Sequence, residues 1–398
     1  MNILVLNCGS SSIKYQLLNM YGSNKEVMAK GIVERVGLPE GVLIHNSEKH
    51  DEFRLVKTFA DHSDGVTAIL EALTDKQHGV INDIHQIDAV GHRVAHGGEF
   101  FSESMLVTTE VKEKIAQCSE LAPLHNPANL KGITSMEQLL PNTPQVAAFD
   151  TSYHQTIPEK AYFYGLPYNF YHDYKIRRYG FHGTSHKFVA EKACKLTGLD
   201  IFNSKIVTCH MGNGVSVTAI KNGKSVDTSM GFTPLEGALM GTRCGDIDSG
   251  VVTYLQEKKN MSSSEVNSFL NKECGIYGIS GISSDMRDLW KGGTERAKLA
   301  IDMFVYRIAK YIGAYAVAMN GLDAVVYTGG IGENDWRIRQ GISEYLEFLG
   351  ANLDKNINEN LRTDKIISTQ DSKVKLILAE TNEELVIATD TMNIVKTK

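Results

Sequence analysis

The sequence predicts an α/β protein built from two copies of one domain, each with a mixed sheet. Near the start, the apolar run ILVLN (3–7) predicts a buried strand, CGSSS a turn and IKYQLLNM (13–20) a second strand. Around residue 205 the pattern returns as KIVTCH (205–210), the turn MGNG and the strand VSVTAI (215–220). Hairpins that lead into strand–helix alternation, twice along one chain, are typical of a duplicated α/β domain.

A second internal echo supports the duplication. The segments IDAVGHR (87–93) and LDAVVYTGG (322–330) both run from an apolar residue through Asp-Ala-Val into a polar or glycine-rich end. Asn222-Gly223 predicts a hairpin turn into a third strand, KSVDTS (224–229). Apolar residues at three- and four-residue steps predict helices over 64–73, 110–121, 185–198 and 295–319.

The repeat divides the chain near residue 150. We predict a first domain over 1–150 and a second domain over 151–383. The last segment, 384–398, is predicted as a helix that packs back on the first domain. A cleft between the two copies is the expected ligand site.

Composition excludes several classes of protein. The 398 residues carry a net charge of −6 with no run of Lys and Arg, so neither a nucleic-acid partner nor a membrane surface is expected. The first residues, MNILVL, are too short and uncharged for a signal peptide, and no stretch reaches spanning length. Six widely spaced cysteines without a C-x-x-C motif indicate neither disulfides nor zinc, and favour a reducing cytoplasm.

Three glycine-rich turns follow predicted strands: NCGSSSIK (7–14), HMGNG (210–214) and GGIGEN (329–334). Glycine lets ligand atoms approach backbone N–H groups, so such turns suit phosphate. The usual phosphate motifs are missing, because Thr218 stands where a P-loop before NGKS (222–225) needs glycine, and no G-x-G-x-x-G opens a helix after a strand. We therefore expect a phosphate site of the hairpin type.

Eight segments, spread over the whole chain, resemble those of the acetate kinase (acetokinase) family. They are NILVLNCGSSSIKYQ (2–16), AVGHRVAHGGE (89–99), APLHNP (122–127), FDTSYH (149–154), RRYGFHGTSH (177–186), GTRCGDIDSG (241–250), TGGIGEN (328–334) and TNEELVIATD (381–390). The resemblance implies the ribonuclease H-like, actin-like ATPase fold of actin, hexokinase and Hsp70, with ATP in the cleft between the two domains.

The resemblance also implies an activity. It is the reversible, Mg²⁺-dependent transfer of the γ-phosphoryl group of ATP to acetate, which gives acetyl phosphate and ADP; Mn²⁺ is an alternative metal. A cytoplasmic homodimer is implied as well, with nucleotide binding and dimerisation assigned to the domain over 151–383.

Two arginines are the first candidates for binding these anions. Arg93 ends a predicted strand and is followed by a glycine pair, and Arg243 lies in the glycine-rich segment GTRCGD. A planar guanidinium fork suits a carboxylate or a phosphate. The resemblance places Arg93 at the substrate and Arg243 on the transferred group.

His182 and Asp150 are the other catalytic candidates. Thr184 or Ser185 is expected to cap a following helix, which leaves His182 beside a positive helix end, and the resemblance makes it a transition-state stabiliser. His182 and His186 have metal-ligand spacing but lack a third ligand, so zinc is rejected. The resemblance assigns Asp150 a proton-transfer role, but acetate is already ionised at pH 7, so we expect Asp150 to orient an arginine or a magnesium-bound water.

The remaining site residues also follow from the resemblance. It links Asn7 and Glu383 to Mg²⁺, with Glu384 left open as the alternative, since this ion takes oxygen ligands. It assigns the nucleotide to Lys14, His210, Met211, Gly212, Asn213, Gly214, Asp285, Met286, Arg287, Gly330, Ile331, Gly332, Glu333 and Asn334.

A small apolar pocket for the acid is expected from Phe181, Leu124, Pro234 and Ala95. The family usually has valine at the position of Ala95. Two missing methyl groups are expected to leave room for a longer acid.

Two rival interpretations stay open from the sequence. One is another kinase of this fold, for propionate, butyrate or a sugar; a sugar kinase would want a base and polar side chains, whereas the nominated pocket is apolar with arginines. The other is an ATP-gated interaction protein of the actin or Hsp70 type, which needs filament surfaces or a peptide-binding domain. An ATPase assay with and without acetate separates these classes.

Overall fold

The computed structural model describes residues 1–22, 25–48, 50–361 and 363–397. They form two compact units, one of residues 1–152 and 382–398 and the other of residues 153–381. The division predicted from the sequence, at 150 and 384, lies within two residues of these limits; the roles given to the two domains stay a prediction. No helix in the described ranges is both long and apolar enough to cross a membrane.

Each unit has its own sheet. The strands of the first unit are β1 (Asn2–Cys8), β2 (Ser12–Asn19), β3 (Glu26–Glu34), β4 (Gly41–Ser47), β5 (Phe53–Lys57), β6 (Ala89–Val94), β7 (Met105–Leu106) and β8 (Gln145–Phe149). Those of the second unit are β9 (Lys205–Met211), β10 (Val215–Lys221), β11 (Lys224–Thr228), β12 (Ala324–Thr328), β13 (Lys365–Ile366) and β14 (Lys375–Leu378).

The first three helices belong to the first unit: α1 (His62–Leu73), α2 (Thr109–Gln117) and α3 (Asn126–Leu139). The second unit contains α4 (Glu159–Tyr162), α5 (Tyr168–Tyr174), α6 (Gly183–Thr197), α7 (Ser249–Lys259), α8 (Ser263–Lys272), α9 (Gly275–Ser280), α10 (Met286–Gly292), α11 (Glu295–Met319), α12 (Gly329–Asn334), α13 (Trp336–Glu344) and α14 (Lys355–Asn360). The final helix, α15 (Glu383–Lys396), returns to the first unit.

The two sheets repeat one plan, as the internal echoes predict. The orders are β5-β4-β3-β2-β1-β6-β8-β7 and β11-β10-β9-β12-β14-β13. In each, the first strand of the hairpin pairs antiparallel with its hairpin partner and parallel with the strand of the Asp-Ala-Val echo. The register agrees as well, since Ile3 lies opposite Ala89 and Ile206 lies opposite Ala324. The predicted duplicated α/β fold with mixed sheets is confirmed.

Helix α15 covers one face of the first sheet. Ile387 is buried there with Ile3, Val5 and Ala89. A Cβ on Gly91 of β6 would lie 2.6 Å from the Cγ2 atom of Ile387, so only glycine permits this close approach. The packing fixes the start of α15, where Glu383 is the first helical residue.

Candidate active site

In the first unit, Arg93 and Asp150 form a forked ion pair. Arg93 lies near the end of β6 and Asp150 directly follows β8; because these strands are parallel neighbours, their carboxyl ends meet at one edge of the sheet. The Arg93 Nε and Nη2 atoms donate to the two Asp150 carboxylate oxygens at 2.9 and 2.5 Å. These two hydrogen bonds allow Asp150 to fix the plane of the Arg93 guanidinium, as the predicted orienting role requires.

Two more oxygen-bearing side chains approach the same guanidinium. The Nη1 atom of Arg93 lies 3.4 Å from the Oδ1 atom of Asn7 on β1. Its Nε atom lies 3.8 Å from a carboxylate oxygen of Glu383 at the start of α15. The ordered helix start holds Glu383 there, because the Asn382 side chain accepts from the Leu385 backbone N–H.

The charges of this cluster do not balance, since two carboxylates face one guanidinium. Burial raises the pKa of Asp150, and Arg93 opposes that shift. Burial also raises the pKa of Glu383, again against the influence of Arg93. An excess of one negative charge, together with amide and carboxylate oxygens, suits a divalent cation.

The same donor set decides which metal fits. Within the described part of the chain, no group of three or more His, Cys, Asp or Glu side chains forms a metal cluster. Mg²⁺ keeps several water molecules and phosphate oxygens and needs only one or two protein carboxylates. Asn7 and Glu383 therefore fit Mg²⁺ bound together with a phosphate ligand, with Asp150 beside them in the orienting role.

Lys14 lies beside this cluster on β2. It is opposite Asn7 in the strand register, and its charge acts on Glu383. A cavity of about 260 Å³ opens next to it. The residues that line this cavity are Lys14, Tyr15, Gln16, Lys30, Gly31, Ile32, Asn46 and Glu384.

In the second unit, the MGNG turn joins β9 to β10. The Gly212 backbone N–H donates to the Gly214 carbonyl at 3.0 Å. Gly212 does not have a left-handed φ, and a Cβ added there would meet nothing closer than the Gly214 carbonyl oxygen at 3.5 Å. The fold itself therefore does not require glycine at 212, which is compatible with the prediction that a ligand approaches the backbone of this turn.

Arg243 and His182 both reach this turn. A Cβ on Gly214 would lie 3.3 Å from the Arg243 Nη1 atom and 3.5 Å from the His182 Cε1 atom. The same Nη1 atom donates to the Pro234 carbonyl at 3.0 Å. Burial lowers the pKa of Arg243, and in the described ranges no carboxylate forms an ion pair with it. A partly buried cation without a counter-charge suits an anionic ligand.

His182 stands at the N-cap of α6 in the left-handed conformation, with φ of 56°. The expected cap by Thr184 or Ser185 is wrong, because the helix already begins at Gly183 and both residues lie within its first turn. The His182 Nδ1 atom pairs with the Ser216 hydroxyl at 2.9 Å, and its ring stacks on His210 with centroids 4.2 Å apart.

His186, one turn along α6, has no metal-ligand geometry. Its Nε2 atom lies 2.7 Å from the Ser216 hydroxyl and its Nδ1 atom 2.6 Å from the Thr208 hydroxyl. Both ring nitrogens are therefore committed to hydroxyl groups, and the pair His182 and His186 converges on Ser216.

The GGIGEN segment forms the short helix α12 rather than a hairpin. The Glu333 carboxylate accepts from the backbone N–H groups of Gly329 and Thr381, both at 3.0 Å, so its side chain closes the turn. The Asn334 side chain donates to the Gly330 carbonyl, and a Cβ on Gly330 would meet nothing within 4 Å. Open backbone at this turn is compatible with the nucleotide prediction.

The DMR segment caps helix α10. The Asp285 side chain accepts from the Arg287 N–H, and the exposed Arg287 guanidinium pairs with the same carboxylate at 2.6 Å. Met286 is buried in the core of the second unit, so its side chain serves packing.

The four predicted acid-pocket residues differ in environment. Phe181 is buried with 5% exposed, whereas Leu124 is 66% exposed. Ala95 is partly buried directly after β6, and its N–H donates to the Asn129 side chain at 3.0 Å. The Pro234 carbonyl accepts from Arg243. Their use as one pocket stays a prediction.

Sequence reasoning missed the polar residues behind these side chains. Ser216 and Thr208 are fully buried on β10 and β9, in strands that otherwise read as apolar. A polar residue inside an apolar strand is the signal that could have identified them, because buried hydroxyls need partners. His186 was noticed only as a rejected metal ligand.

A duplicated mixed-sheet fold that carries side chains suited to binding anions near the ends of its strands is typical of a kinase that acts on a small molecule. The model of the Acetokinase family matches residues 2–389. The acetate kinase of Thermoanaerobacterium thermosaccharolyticum is 53% identical over 400 residues, covering 100% of this chain and 99% of the relative. The acetate kinase of Halothermothrix orenii is 54% identical, covering 100% of both. This chain belongs to the acetokinase family.

Solved structures agree with this membership. The crystal structure of Porphyromonas gingivalis acetate kinase is similar with a TM-score of 0.95 and 48% identity, covering 99% of each chain. A propionate kinase from Francisella tularensis is similar with a TM-score of 0.91 and 40% identity, again over 99% of each chain.

Proposed function

We propose that this protein is an acetate kinase, which reversibly transfers the γ-phosphoryl group of ATP to acetate and forms acetyl phosphate and ADP. The observation that carries the proposal is Arg243, a partly buried cation without an ion-pair partner in the described ranges, which shares the Gly214 turn with His182. Family membership supports the choice of acetate.

The second unit supplies donors for the phosphoryl group. An acetate oxygen attacks the γ-phosphorus while the bond between the γ-phosphorus and the β-phosphate oxygen breaks. Negative charge then spreads over the three equatorial oxygens of the γ-phosphoryl group. Arg243 and His182 donate to those oxygens, and the contact strengthens as charge develops. The bare MGNG turn lets the nucleotide phosphates lie against the backbone.

The first unit supplies the metal and acid side of the reaction. Asn7 and Glu383 would hold Mg²⁺, which when bound neutralises phosphate charge. Asp150 accepts hydrogen bonds from the Nε and Nη2 atoms of Arg93, which fixes the plane of the guanidinium. The Nη1 edge of the guanidinium is then the one that can bind the carboxylate of acetate. Lys14 adds a further positive charge for the nucleotide.

Trapping of the product with hydroxylamine tests this proposal. The purified protein is incubated with MgATP, hydroxylamine and acetate, and the acyl hydroxamate is measured. We expect acetohydroxamate that disappears when Mg²⁺ is chelated and that forms roughly 10²–10³-fold more slowly when Arg243 is replaced by alanine. Absence of product from acetate, propionate and butyrate alike would refute an acyl kinase.

Propionate is the second candidate substrate. Its support is Ala95, which is smaller than the usual valine, and the similarity to a propionate kinase structure. Comparing kcat/KM for the two acids decides which substrate is preferred.

A homodimer in the cytoplasm is part of the proposal. Helices α5 and α7 contain no buried residue, and Tyr168, Tyr174 and Tyr254 on them are each at least 60% exposed. Large exposed rings of this kind suit contact with a second copy. All six cysteines are free thiols, which suits a reducing compartment. Sedimentation analysis tests the dimer: a monomer at micromolar concentration would contradict it.

A further inference from the structure

The hydrogen bonds behind His182 run through buried groups with few alternatives. Thr208, His186 and Ser216 are all fully buried. They connect in the order Thr208 Oγ1, His186 Nδ1, His186 Nε2, Ser216 Oγ and His182 Nδ1, with distances of 2.6, 2.7 and 2.9 Å. Each hydroxyl has one proton, so the chain can point only one way at a time.

The direction follows from Thr208. Its hydroxyl has His186 Nδ1 as its side-chain partner, and a buried hydroxyl proton without an acceptor is costly. Thr208 therefore donates to His186 Nδ1. Burial holds the pKa of His186 well below its ordinary value, and the neighbouring His154 and His210 rings act in the same direction. A neutral ring that accepts at Nδ1 carries its proton at Nε2.

The remaining steps are then forced. His186 Nε2–H donates to the Ser216 oxygen, which leaves the Ser216 proton for His182 Nδ1. A His182 that accepts at Nδ1 carries its proton on Nε2 and is neutral. If His182 were an imidazolium, its Nδ1–H would also donate to Ser216. The Ser216 oxygen would then face two N–H donors, and the Ser216 hydroxyl proton would have no acceptor.

We propose that Thr208, His186 and Ser216 are positioning residues that hold His182 as the neutral tautomer with its proton on Nε2. The relay presents Nε2–H as the donor of His182 to a phosphoryl oxygen. The role given to the Nε2–H donor rests on the proposed function, whereas the tautomer of His182 is a property of the protein without substrate.

The test reads the tautomer directly. Protein labelled with ¹⁵N-histidine is studied at pH 8, where an ordinary imidazole with a pKa of about 6.5 is neutral. Long-range ¹H–¹⁵N correlation spectra distinguish a protonated from an unprotonated ring nitrogen, and His182→Asn assigns the signals. We expect an unprotonated Nδ1 and a protonated Nε2. A protonated Nδ1 in the wild type would overturn the proposal.

Variants then connect the tautomer to turnover. Ser216→Ala should mix the two tautomers of His182 and lower kcat by roughly 10–100-fold, the range typical of groups that orient a functional histidine, with little change in either KM. Ser216→Thr, which keeps the hydroxyl, should restore the wild-type His182 signals. Thr218→Val is the matched control, because Thr218 is equally buried on the same strand and its hydroxyl pairs with the Thr228 hydroxyl on β11.

A second pair protects the test against misfolding. His186→Leu breaks the relay, whereas His186→Gln keeps a side-chain N–H that can reach Ser216. An unchanged His182 signal in Ser216→Ala or in His186→Leu would overturn the relay. If the tautomer is found as expected but no acyl phosphate forms, the relay stands and the proposed function fails.

Discussion

Replacing Gly212 by alanine tests whether the bare turn exists for the nucleotide or for the fold. The added methyl group would lie 3.5 Å from the Gly214 carbonyl oxygen and 3.9 Å from the His210 Nε2 atom, both ordinary contacts. The residue also avoids the left-handed region, so alanine can adopt its conformation. The structure therefore predicts a variant that folds normally and binds ATP poorly.

The two expected effects have opposite signs. Glycine-to-alanine changes at compatible positions stabilise by about 0.4–1 kcal/mol, because the unfolded chain loses freedom. A methyl group on the turn would separate one backbone donor from a phosphate, and a hydrogen bond to a charged group is worth about 1.5–3 kcal/mol. At ~1.4 kcal/mol for each factor of ten, the KM for ATP and the Kd for ADP should rise roughly 10–100-fold.

The assay measures both quantities on the same samples. Urea unfolding gives the free energy of unfolding, and initial rates with calorimetric titration of MgADP give the nucleotide constants. Gly165→Ala is the matched control, since Gly165 lies in the same unit, avoids the left-handed region and has no atom within 4 Å of an added Cβ. Unchanged nucleotide constants in Gly212→Ala would refute the reasoning, and a loss of stability would show that the turn itself needs glycine.

Four further substitutions test the roles of the charged groups and of the pocket. Arg243→Ala should lower kcat by roughly 10²–10³-fold with small changes in either KM, whereas Arg93→Ala should mainly raise the KM for acetate; interchangeable kinetic profiles would contradict these separate roles. Ala95→Val should lower the propionate-to-acetate ratio of kcat/KM several-fold, within the about 1–3 kcal/mol that a pocket gains per methylene, and an unchanged ratio removes Ala95 from the pocket. Burial raises the pKa of Glu383, so the folded protein keeps the Glu383 proton to a higher pH than the unfolded chain does. The free energy of unfolding of the wild type should therefore fall relative to that of Glu383→Gln as the pH rises above about 4.3. Parallel pH profiles of the two proteins would argue against the raised pKa.

Local periodicity and the internal echoes were enough to predict the framework. The 25-residue helix over 295–319 has the bounds of α11, because its apolar residues recur at helical spacing along its whole length. The equivalence of 87–93 and 322–330 became two parallel strands in matching positions of two sheets. Helix α2 ends earlier than predicted, at Gln117, because the last turn tightens into a 3-10 helix over 118–120.

Contacts between distant segments are what the sequence did not reveal. The meeting of Arg93 with Asp150 depends on the parallel pairing of β6 with β8, and 57 residues separate the two partners in the chain. The left-handed His182 was also unexpected, since the segment GFHGTSH offered better capping side chains in Thr184 and Ser185. Tertiary packing of α6 decided its first residue, and local preference did not.

The two half-sites have opposite charge imbalances, and each is a cost to the protein alone. In the first unit, one guanidinium faces one buried and one partly buried carboxylate; in the second, a partly buried guanidinium has no carboxylate partner in the described ranges. The free energy of folding of the protein without ligand does not benefit from the excess charge in either unit, because uncompensated buried charge is destabilising. A divalent cation would offset the imbalance in the first unit, and a phosphoryl group would offset the imbalance in the second. In a structural ion-pair network, by contrast, the opposite charges are already satisfied in the absence of ligand, so the charge pattern of each unit supports the proposed binding of a charged ligand.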